Sequence, residues 1–149
     1  RCNAGLTPKL GAANFARPDG TPLEVGSQVA HYGQFAMFTP EVVLLAMTET
    51  QIAGCALLRP LDESTAEVRR LYVRPAAQGQ GIGRALMQAI IAAAQGAGHQ
   101  ALCLETLEAM HVAVALYRRL GFVEIAPWHA PQTDHDRTLF MRLELLSQD

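Results

Sequence analysis

The chain has few charged side chains and no long apolar run. Asp, Glu, Lys and Arg make up 17% of its 149 residues, against about 25% in an average globular protein, while 50% are hydrophobic. This balance predicts a folded core rather than disorder. The longest stretch without a charge, Ala85 to Leu104, contains Gln88, Gln95 and His99 and is too polar to face lipid. With 12 basic and 14 acidic residues, the net charge of −2 gives no broad positive field for nucleic acid. We expect neither a membrane nor a nucleic acid as partner.

The chain also lacks the cysteine patterns of disulfide frameworks and zinc sites. Its three cysteines form an odd set without C-x-x-C spacing, and the last two lie in apolar runs: Cys2, Cys55 and Cys103. This usage favours a reducing, cytoplasmic setting. Four other candidate metal ligands in a late polar loop match no established spacing, and no metal is predicted: His129, Asp134, His135 and Asp136.

The length predicts a single domain over residues 1–149 with two parts of different character. Residues 1–40 form an arm that Pro and Gly interrupt repeatedly, with room for one strand around Leu23–Val25 and one helix around Gln28–Phe38. The chain begins with Arg1 rather than Met and shows no leader pattern, so its natural start is left open. Residues 41–145 carry clear periodicity and form the predicted core.

Within that core the pattern alternates between strands and helices. Apolar runs predict strands at 42–47, 52–58, 66–73, 101–106, 122–126 and 138–145. Apolar residues at helical spacing predict helices at 85–97 and 109–120, each followed by glycine. The order predicts an α/β fold in which a central mixed sheet is flanked by helices.

The segment with a chemical signature follows the strand that ends at Val73. It turns through three glycines, Gly79, Gly81 and Gly83, and opens a helix. Free backbone N–H groups at a helix N-terminus bind phosphate or pyrophosphate. The Walker pattern is absent, and a dinucleotide fingerprint counted from Gly79 would place its third glycine at Arg84. A glycine-rich turn that only reverses the chain is the alternative.

Two motifs in this order resemble the GNAT superfamily of N-acetyltransferases. Gln78, Gly81 and Gly83 fit its acetyl-CoA motif R/Q-x-x-G-x-G/A, after a strand that reads Leu71-Tyr72-Val73. A second signature, A-x-x-L-Y-x-x-x-G-F, is matched by Ala113, Leu116, Tyr117, Gly121 and Phe122. The resemblance covers roughly residues 42–145. It implies an acetyl-CoA-dependent N-acetyltransferase with the GNAT-like fold.

The resemblance also implies where acetyl-CoA binds. Backbone N–H groups of Gln80 to Arg84 would hold the pyrophosphate, with charge from the Arg84 side chain. The strand that ends at Val73 would splay from its neighbour and pair with pantetheine, and the Val73 amide would polarise the acetyl carbonyl. The expected cofactor-binding residues are Leu71, Tyr72, Val73, Gln78, Gly79, Gln80, Gly81, Ile82, Gly83 and Arg84.

Tyr117 and Glu67 are the expected catalytic residues. Tyr117 lies on the apolar face of its helix, and the resemblance makes it the general acid for the CoA thiolate; an ordinary buried tyrosine is the alternative. By the period of two, Glu67 shares a strand face with Leu71 and Val73, which would let it bind or deprotonate the amine. The alternatives are a surface pair between Glu67 and a neighbouring arginine, either Arg69 or Arg70, and a water relay with no single base.

The acceptor side is less well defined by the sequence. Glu105 is the second candidate for the base, and Tyr32 and Trp128 are candidate walls of an acceptor pocket. A small-molecule amine is the expected acceptor, followed by a protein amino terminus or lysine. Cys55 and Cys103 lack an adjacent cation or His, so direct transfer is expected rather than a covalent intermediate.

Two departures from the family pattern leave other functions open. Met110 stands where many members carry a polar residue, and the arm before residue 41 is shorter than usual. A non-catalytic acyl-CoA-binding module is therefore an alternative, and a nucleotide-binding domain that prefers ATP or NAD is a third. Family resemblance leaves a homodimer open, and no sequence feature demonstrates one.

Overall fold

The computed structural model describes residues 13–16, 22–27, 42–48, 51–131 and 137–146, the first two ranges as backbone only. Eight strands in these ranges form one sheet in the order β1-β2-β3-β4-β5-β6-β8-β7. The strands are β1 Ala13–Ala16, β2 Pro22–Ser27, β3 Val42–Met47, β4 Ile52–Pro60, β5 Thr65–Val73, β6 Ala101–Leu107, β7 Val123–Ile125 and β8 Thr138–Glu144. The helices are α1, Ile82–Gly96, and α2, His111–Arg119.

The sheet is antiparallel except where β5 meets β6. Those two strands are parallel, and α1 connects them, as a parallel connection requires. The hairpin of β3 and β4 closes where Thr48 N donates to Gln51 O at 2.8 Å. The predicted mixed sheet with flanking helices is confirmed.

Both helices pack on one face of the sheet, which we call the helical face. The main core there joins Leu86 and Ile90 of α1, Val114 of α2, and Val68 and Met141 of the sheet. On the opposite face, Val43, Leu45 and Leu57 form a smaller apolar cluster. We call this second side the second face. Alternate residues of each strand therefore belong to different environments.

A β-bulge in β5 changes which residues share a face. Leu57 pairs with Arg69 and Cys55 with Tyr72. Between these two pairs, β5 contains one residue more than β4. Arg70 absorbs the extra residue with φ of 52°, a left-handed conformation that is uncommon for a residue other than glycine. Beyond the bulge, the side chains of β5 change phase with respect to the two faces.

The predicted element bounds are right to within a few residues, with differences at the helix starts and in the arm. Helix α1 begins at Ile82 rather than at Ala85, because Gly81 is its N-cap. In the arm, the strand around Leu23–Val25 is present as β2, but β1 was not predicted. The helix expected around Gln28–Phe38 lies outside the described residues. Among the described residues, no helix combines the length and apolar character needed to span a bilayer.

Candidate active site

The two parallel strands at the centre of the sheet separate after three residue pairs. β5 and β6 pair at Thr65 with Ala101, Ala66 with Leu102, and Glu67 with Cys103. Yet β5 runs on to Val73 and β6 to Leu107. Beyond Glu67 and Cys103 the two strands diverge and leave an opening between their backbones, where the splay was expected.

At the far end of β5, the backbone of Val73 is directed into this opening. Val73 pairs with Gly54, and Arg74 N donates to Ala53 O at 2.8 Å. Because antiparallel backbone groups alternate in direction, the N–H and C=O of Val73 itself face away from β4. The carbonyl accepts a hydrogen bond from Gln78 Nε2 at 3.2 Å. The side chain of this motif residue therefore ties the loop to the strand end, while the Val73 N–H faces the opening.

The glycine-rich loop leads to the N-terminus of α1, where the N-cap Gly81 provides no side-chain hydrogen bond. Gly79 and Gly81 have φ of 77° and 78°, and an added Cβ at either would meet nothing within 4 Å. Glycine is needed at both positions for the left-handed backbone. The first helical bond is from Ala85 N to Gly81 O at 3.1 Å, so the preceding N–H groups of the helix make no bond of this type.

Gly83 differs from the two loop glycines. It lies inside α1 and has no positive φ. A Cβ there would lie 3.6 Å from Leu116 Cδ2 and 3.8 Å from Val73 Cγ2, ordinary contact distances. These distances show that the first turn of α1 adjoins both the end of β5 and the helix α2.

Tyr117 lies on α2, one residue after Leu116, with its side chain in the main core. It is 6% exposed, and its ring centroid lies 5.9 Å from that of Phe122. Burial raises the pKa of its phenol to about 12, because the charged phenolate loses solvation. The phenol is therefore protonated throughout the neutral range. Met110, which precedes α2, is 52% exposed.

Glu67 does not share a face with Leu71 and Val73, which corrects the geometric argument from the sequence. The bulge at Arg70 places Leu71 and Val73 against the main core of the helical face, whereas Glu67 points to the second face with its cross-strand partner Arg59. Its carboxylate is 0% exposed and pairs with Arg59 at 2.5 Å and Arg69 at 3.1 Å.

The alternative pairing of Glu67 with Arg69 is thus present in the structure, but with the carboxylate buried rather than at the surface. Arg59 is a partner that the sequence analysis missed. Its position opposite Glu67 in the β4–β5 hairpin was the available signal, since directly paired residues of opposite charge contact each other. Guanidinium contacts on both carboxylate oxygens fix this side chain in a buried ionic cluster.

Glu105, on β6 two residues beyond the last pair with β5, contacts a residue that the sequence analysis left in a solvated loop. Its Oε2 lies 2.7 Å from Nε2 of His129. The ring of His129 packs against Phe140 at 5.1 Å, and Trp128 packs against Phe140 at 4.9 Å. The structure therefore brings Glu105 and Trp128 to one region. Nothing in the local sequence signals the contact between Glu105 and His129, since it depends on the register of β8.

Four residues that the sequence singles out are outside the described residues: Tyr32, Asp134, His135 and Asp136. A cavity of about 470 Å³ lies beside the start of α2 and is lined by Glu108, Ala109, His111, Val114, Ala115, Arg118 and Arg137. It shares no residue with the predicted site. The candidate site is instead the cleft between β5 and β6. It is identified by the direction of the backbone groups that border it, not by an enclosed cavity.

Comparison with known proteins gives the same family by sequence and by structure. The model of the acetyltransferase (GNAT) family matches residues 14–122. The IAA acetyltransferase of Azospirillum brasilense is 36% identical over 68% of this chain and 67% of its own length. An uncharacterized N-acetyltransferase of Schizosaccharomyces pombe is 34% identical over 70% of this chain, which spans 64% of that relative.

A solved structure supports the assignment. The ribosomal-protein-S18-alanine N-acetyltransferase of Escherichia coli superposes with a TM-score of 0.61 and 25% identity, covering 72% of this chain and 70% of its own. The predicted resemblance is confirmed by these matches and by the family model. The chain belongs to the acetyltransferase (GNAT) family.

Proposed function

We propose that the protein is an N-acetyltransferase that transfers acetyl from acetyl-CoA to a primary amine by direct attack in a ternary complex. The observation that carries this proposal is the divergence of β5 and β6 beside the N-terminus of α1. A strand edge without a neighbour can pair with an extended amide chain, and a helix N-terminus binds phosphate. Pantetheine and the CoA pyrophosphate offer these two chemistries in one molecule.

Backbone groups provide most of the proposed cofactor site. The N–H groups from Gln80 to Arg84 would bind the pyrophosphate, with the positive end of the α1 dipole behind them. The exposed Arg84 side chain would add charge. Along β5, the edge from Leu71 to Val73 would pair with pantetheine, and the N–H of Val73 would donate to the acetyl carbonyl as its oxygen gains negative charge.

Tyr117 is the proposed general acid. The amine nitrogen forms a bond to the carbonyl carbon, the carbon–sulfur bond breaks, and the leaving thiolate takes a proton from the phenol. Tyr117 regains a proton from the acylated nitrogen, so atoms and charge balance. Its pKa of about 12 keeps the phenol protonated at neutral pH.

Direct attack is favoured over a cysteine intermediate. Burial raises the pKa of the thiols of Cys55 and Cys103, which disfavours the nucleophilic thiolate. The two guanidinium contacts of Glu67 likewise favour a structural role for its carboxylate over the predicted role as base. Its catalytic role stays a prediction, as does a water relay.

The acceptor class is proposed only as a primary amine. A small molecule is favoured over a protein because a net charge of −2 provides no strongly charged surface for a peptide. The candidate walls are Trp128, whose ring packs against Phe140, and Tyr32. The cytoplasmic location and a homodimer remain predictions.

The experiment is a thiol-release assay with acetyl-CoA and a panel of primary amines. An acetyltransferase releases CoA thiol at a rate that rises and saturates with one or more amines, and mass spectrometry finds the acetylated amine. A non-catalytic acyl-CoA-binding module would bind acetyl-CoA in calorimetry without amine-dependent release. A nucleotide-binding domain would bind ATP or NAD in preference to CoA. Either result would overturn the proposal.

A further inference from the structure

The residue that forms the bulge of β5 is an arginine in a backbone conformation that arginine rarely adopts. Arg70 has φ of 52° and, among the residues that the structure describes, is the only one other than glycine with a positive φ. This conformation costs free energy for a residue with a Cβ, whereas glycine adopts it readily. The bulge by itself therefore does not require arginine. Backbone outliers of this kind cluster at ligand-binding sites, where the displayed side chain has a role.

The bulge also turns the Arg70 side chain away from the main core. In a regular strand, residue 70 would alternate with Arg69 and so point towards the helical face. Instead, the side chain of Arg70 is exposed, and its backbone oxygen accepts a hydrogen bond from Cys55 Sγ at 3.6 Å. Burial raises the pKa of the Cys55 thiol, and the positive charge of Arg70 opposes this rise. Because Cys55 packs with the apolar cluster of the second face, the guanidinium of Arg70 lies towards that face.

The carboxylates near Arg70 on the second face are engaged with other partners. Glu67 contacts both Arg59 and Arg69, and Glu105 of β6 contacts a histidine at 2.7 Å. Within the ranges that the structure describes, the guanidinium of Arg70 makes no hydrogen bond or ion pair. A guanidinium presents its N–H donors in a planar fork that matches the two oxygens of a carboxylate. Arg70 therefore offers a ligand a positive charge and a set of donors that no described residue uses.

An exposed aromatic ring lies beside this charge. Tyr72 pairs directly with Cys55 across β4 and β5, so its side chain projects from the second face as well. It is 55% exposed and follows Arg70 by two positions. The ring and the guanidinium thus flank the stretch of β5 that is proposed to pair with pantetheine. An apolar surface next to a guanidinium suits a small molecule with a carbon skeleton and an anionic group.

The acceptor of the proposed reaction would reach the thioester from the second face. The N-terminus of α1, proposed for the pyrophosphate, and Tyr117, the proposed general acid, both belong to the helical face. The Val73 N–H, which would hold the acetyl carbonyl, faces the opening between the two strands. The side opposite the helices is the one left for the amine, and Arg70 lies there. Three residues of extended chain separate Arg70 from Val73, at most about 10 Å between Cα atoms, which an arginine side chain and a small acceptor together can bridge.

We propose that the acceptor is an amine that also carries a carboxylate, that is, an amino acid, and that Arg70 determines this specificity by binding the carboxylate. The inference rests on the proposed acetyltransferase function and narrows its acceptor class. The guanidinium of Arg70 donates to both carboxylate oxygens, which directs the amino group towards the acetyl carbon beside Val73. The ring of Tyr72 covers the carbon chain between the two groups. A protein amino terminus has no α-carboxylate next to its amine and is disfavoured as acceptor.

The test compares amino acids with the amines that lack only the carboxylate, in the thiol-release assay with the full chain. The pairs are glycine and methylamine, leucine and 3-methylbutylamine, phenylalanine and phenethylamine, and 4-aminobutanoate and propylamine. We expect kcat/KM, expressed per neutral amine, to be higher for the amino acid in at least one pair. Equal or lower values for the amino acid in every pair would overturn the inference. Phosphoethanolamine beside ethylamine tests a phosphate in place of the carboxylate, and a preference for the phosphate alone would overturn carboxylate recognition.

Arg70→Gly tests whether the guanidinium causes the preference. Glycine adopts the φ of 52° found at this position without a Cβ, so the bulge and the fold should be kept. We expect kcat/KM for the preferred amino acid to fall roughly 10- to 100-fold, as for loss of a hydrogen bond between charged groups. The value for the amine without the carboxylate should change little. Arg70→Lys, which keeps the charge but not the planar fork, should lose less. A preference that persists unchanged in Arg70→Gly would overturn the role of Arg70.

The control removes an exposed arginine outside the proposed site. Arg118 lies on α2 and lines the separate cavity there, so Arg118→Gln should keep the wild-type preference. An equal loss of preference in Arg118→Gln would show that the effect is not specific to Arg70 and would overturn the assignment.

Acetyl-CoA binding and the plain amines separate this inference from the proposed function. Arg70→Gly should bind acetyl-CoA in calorimetry as the wild type does, since the Arg70 side chain is not part of the proposed cofactor site. Amine-dependent thiol release by the wild type without a preference for the carboxylate would contradict only this inference. Absence of release with every amine and amino acid of the panel would contradict the proposed function, and the inference with it.

Discussion

Glu67 and Cys103 form the last residue pair between β5 and β6 before the two strands diverge. Everything proposed for the cofactor depends on this divergence, because a continuous ladder would occupy the backbone groups of β5 that pantetheine requires. The buried cluster of Glu67 with Arg59 and Arg69 lies at the apex of the opening. This position suggests that the cluster stabilises the point at which the strands separate.

Gly83→Asp should abolish acetyl-CoA binding without unfolding the protein. The new Cβ would lie 3.6 Å from Leu116 Cδ2, an ordinary contact distance. A carboxylate in the first turn of a helix interacts favourably with the helix dipole, so the fold should be kept, but its negative charge repels the pyrophosphate. We expect the affinity for acetyl-CoA to fall at least about 100-fold, which corresponds to about 2.8 kcal/mol of binding free energy. Isothermal calorimetry measures it.

The matched control for that variant is Gly96→Asp, at the other end of α1. An added Cβ at Gly96 meets nothing within 4 Å, so the same charge is introduced away from the proposed anion site. Gly96→Asp should bind acetyl-CoA with nearly wild-type affinity. Retention of affinity by Gly83→Asp would show that the pyrophosphate binds elsewhere.

Tyr117→Phe should slow turnover while leaving acetyl-CoA affinity unchanged. The ring and its contact with Phe122 are kept, and only the hydroxyl proton is removed. Loss of a general acid reduces the rate by roughly 10² to 10⁴ fold. Steady-state kinetics of thiol release, with calorimetry on the same sample, provide the measurement. A rate equal to that of the wild type would remove Tyr117 from the chemical step.

Tyr117 should also make the protein lose stability at alkaline pH. The pKa of Tyr117 in the folded protein, about 12, exceeds the ordinary value of 10.0. Its contribution to the free energy of unfolding is therefore complete below pH 10 and is lost as the pH rises towards 12. A difference of two pKa units corresponds to roughly 2–3 kcal/mol. Urea unfolding between pH 9 and 11.5 should show a smaller decline in the free energy of unfolding for Tyr117→Phe than for the wild type. Parallel declines in both proteins would contradict the assigned burial of the phenol.

Gly54→Ala should destabilise the sheet beside the opening. An added Cβ would lie 2.5 Å from the backbone oxygen of Tyr72, which forces β4 and β5 to shift. Overpacking of this kind costs about 1–3 kcal/mol. In contrast, Gly96→Ala, in the open space at the end of α1, should stabilise by about 1 kcal/mol through helix propensity. Denaturant unfolding of the two variants tests the pair, and an unaltered midpoint in Gly54→Ala would argue against this register.

The elements with strong local signals were predictable from the sequence. The apolar run of β3 and the glycines before α1 each have a direct physical consequence, burial of a strand and a left-handed turn, and both are present in the structure. Helix α2 was identified from its apolar stripe, though it begins at His111 rather than 109. β1 was missed because four residues carry too weak a pattern on their own.

The errors came from features that depend on tertiary context. No local pattern signals that Arg70 would adopt a φ of 52°, and this single bulge reversed the face assigned to Glu67. His129 and Glu105 are separated by 24 positions and meet only because Phe140 of β8 pairs with Glu105 of β6. Registers between distant strands are set by packing rather than by local sequence.

The opening between β5 and β6 and the N-terminus of α1 together form the proposed acetyl-CoA site. Thermal unfolding of the full chain with acetyl-CoA, CoA, ATP and NAD, each at about 100 times the dissociation constant measured for acetyl-CoA, tests it most directly. Ligand at that excess contributes about 2.7 kcal/mol, which should raise the midpoint by about 5 to 11 °C. We expect this rise with acetyl-CoA and CoA and none with ATP or NAD. No rise with either CoA species, or an equal rise with all four ligands, would contradict it.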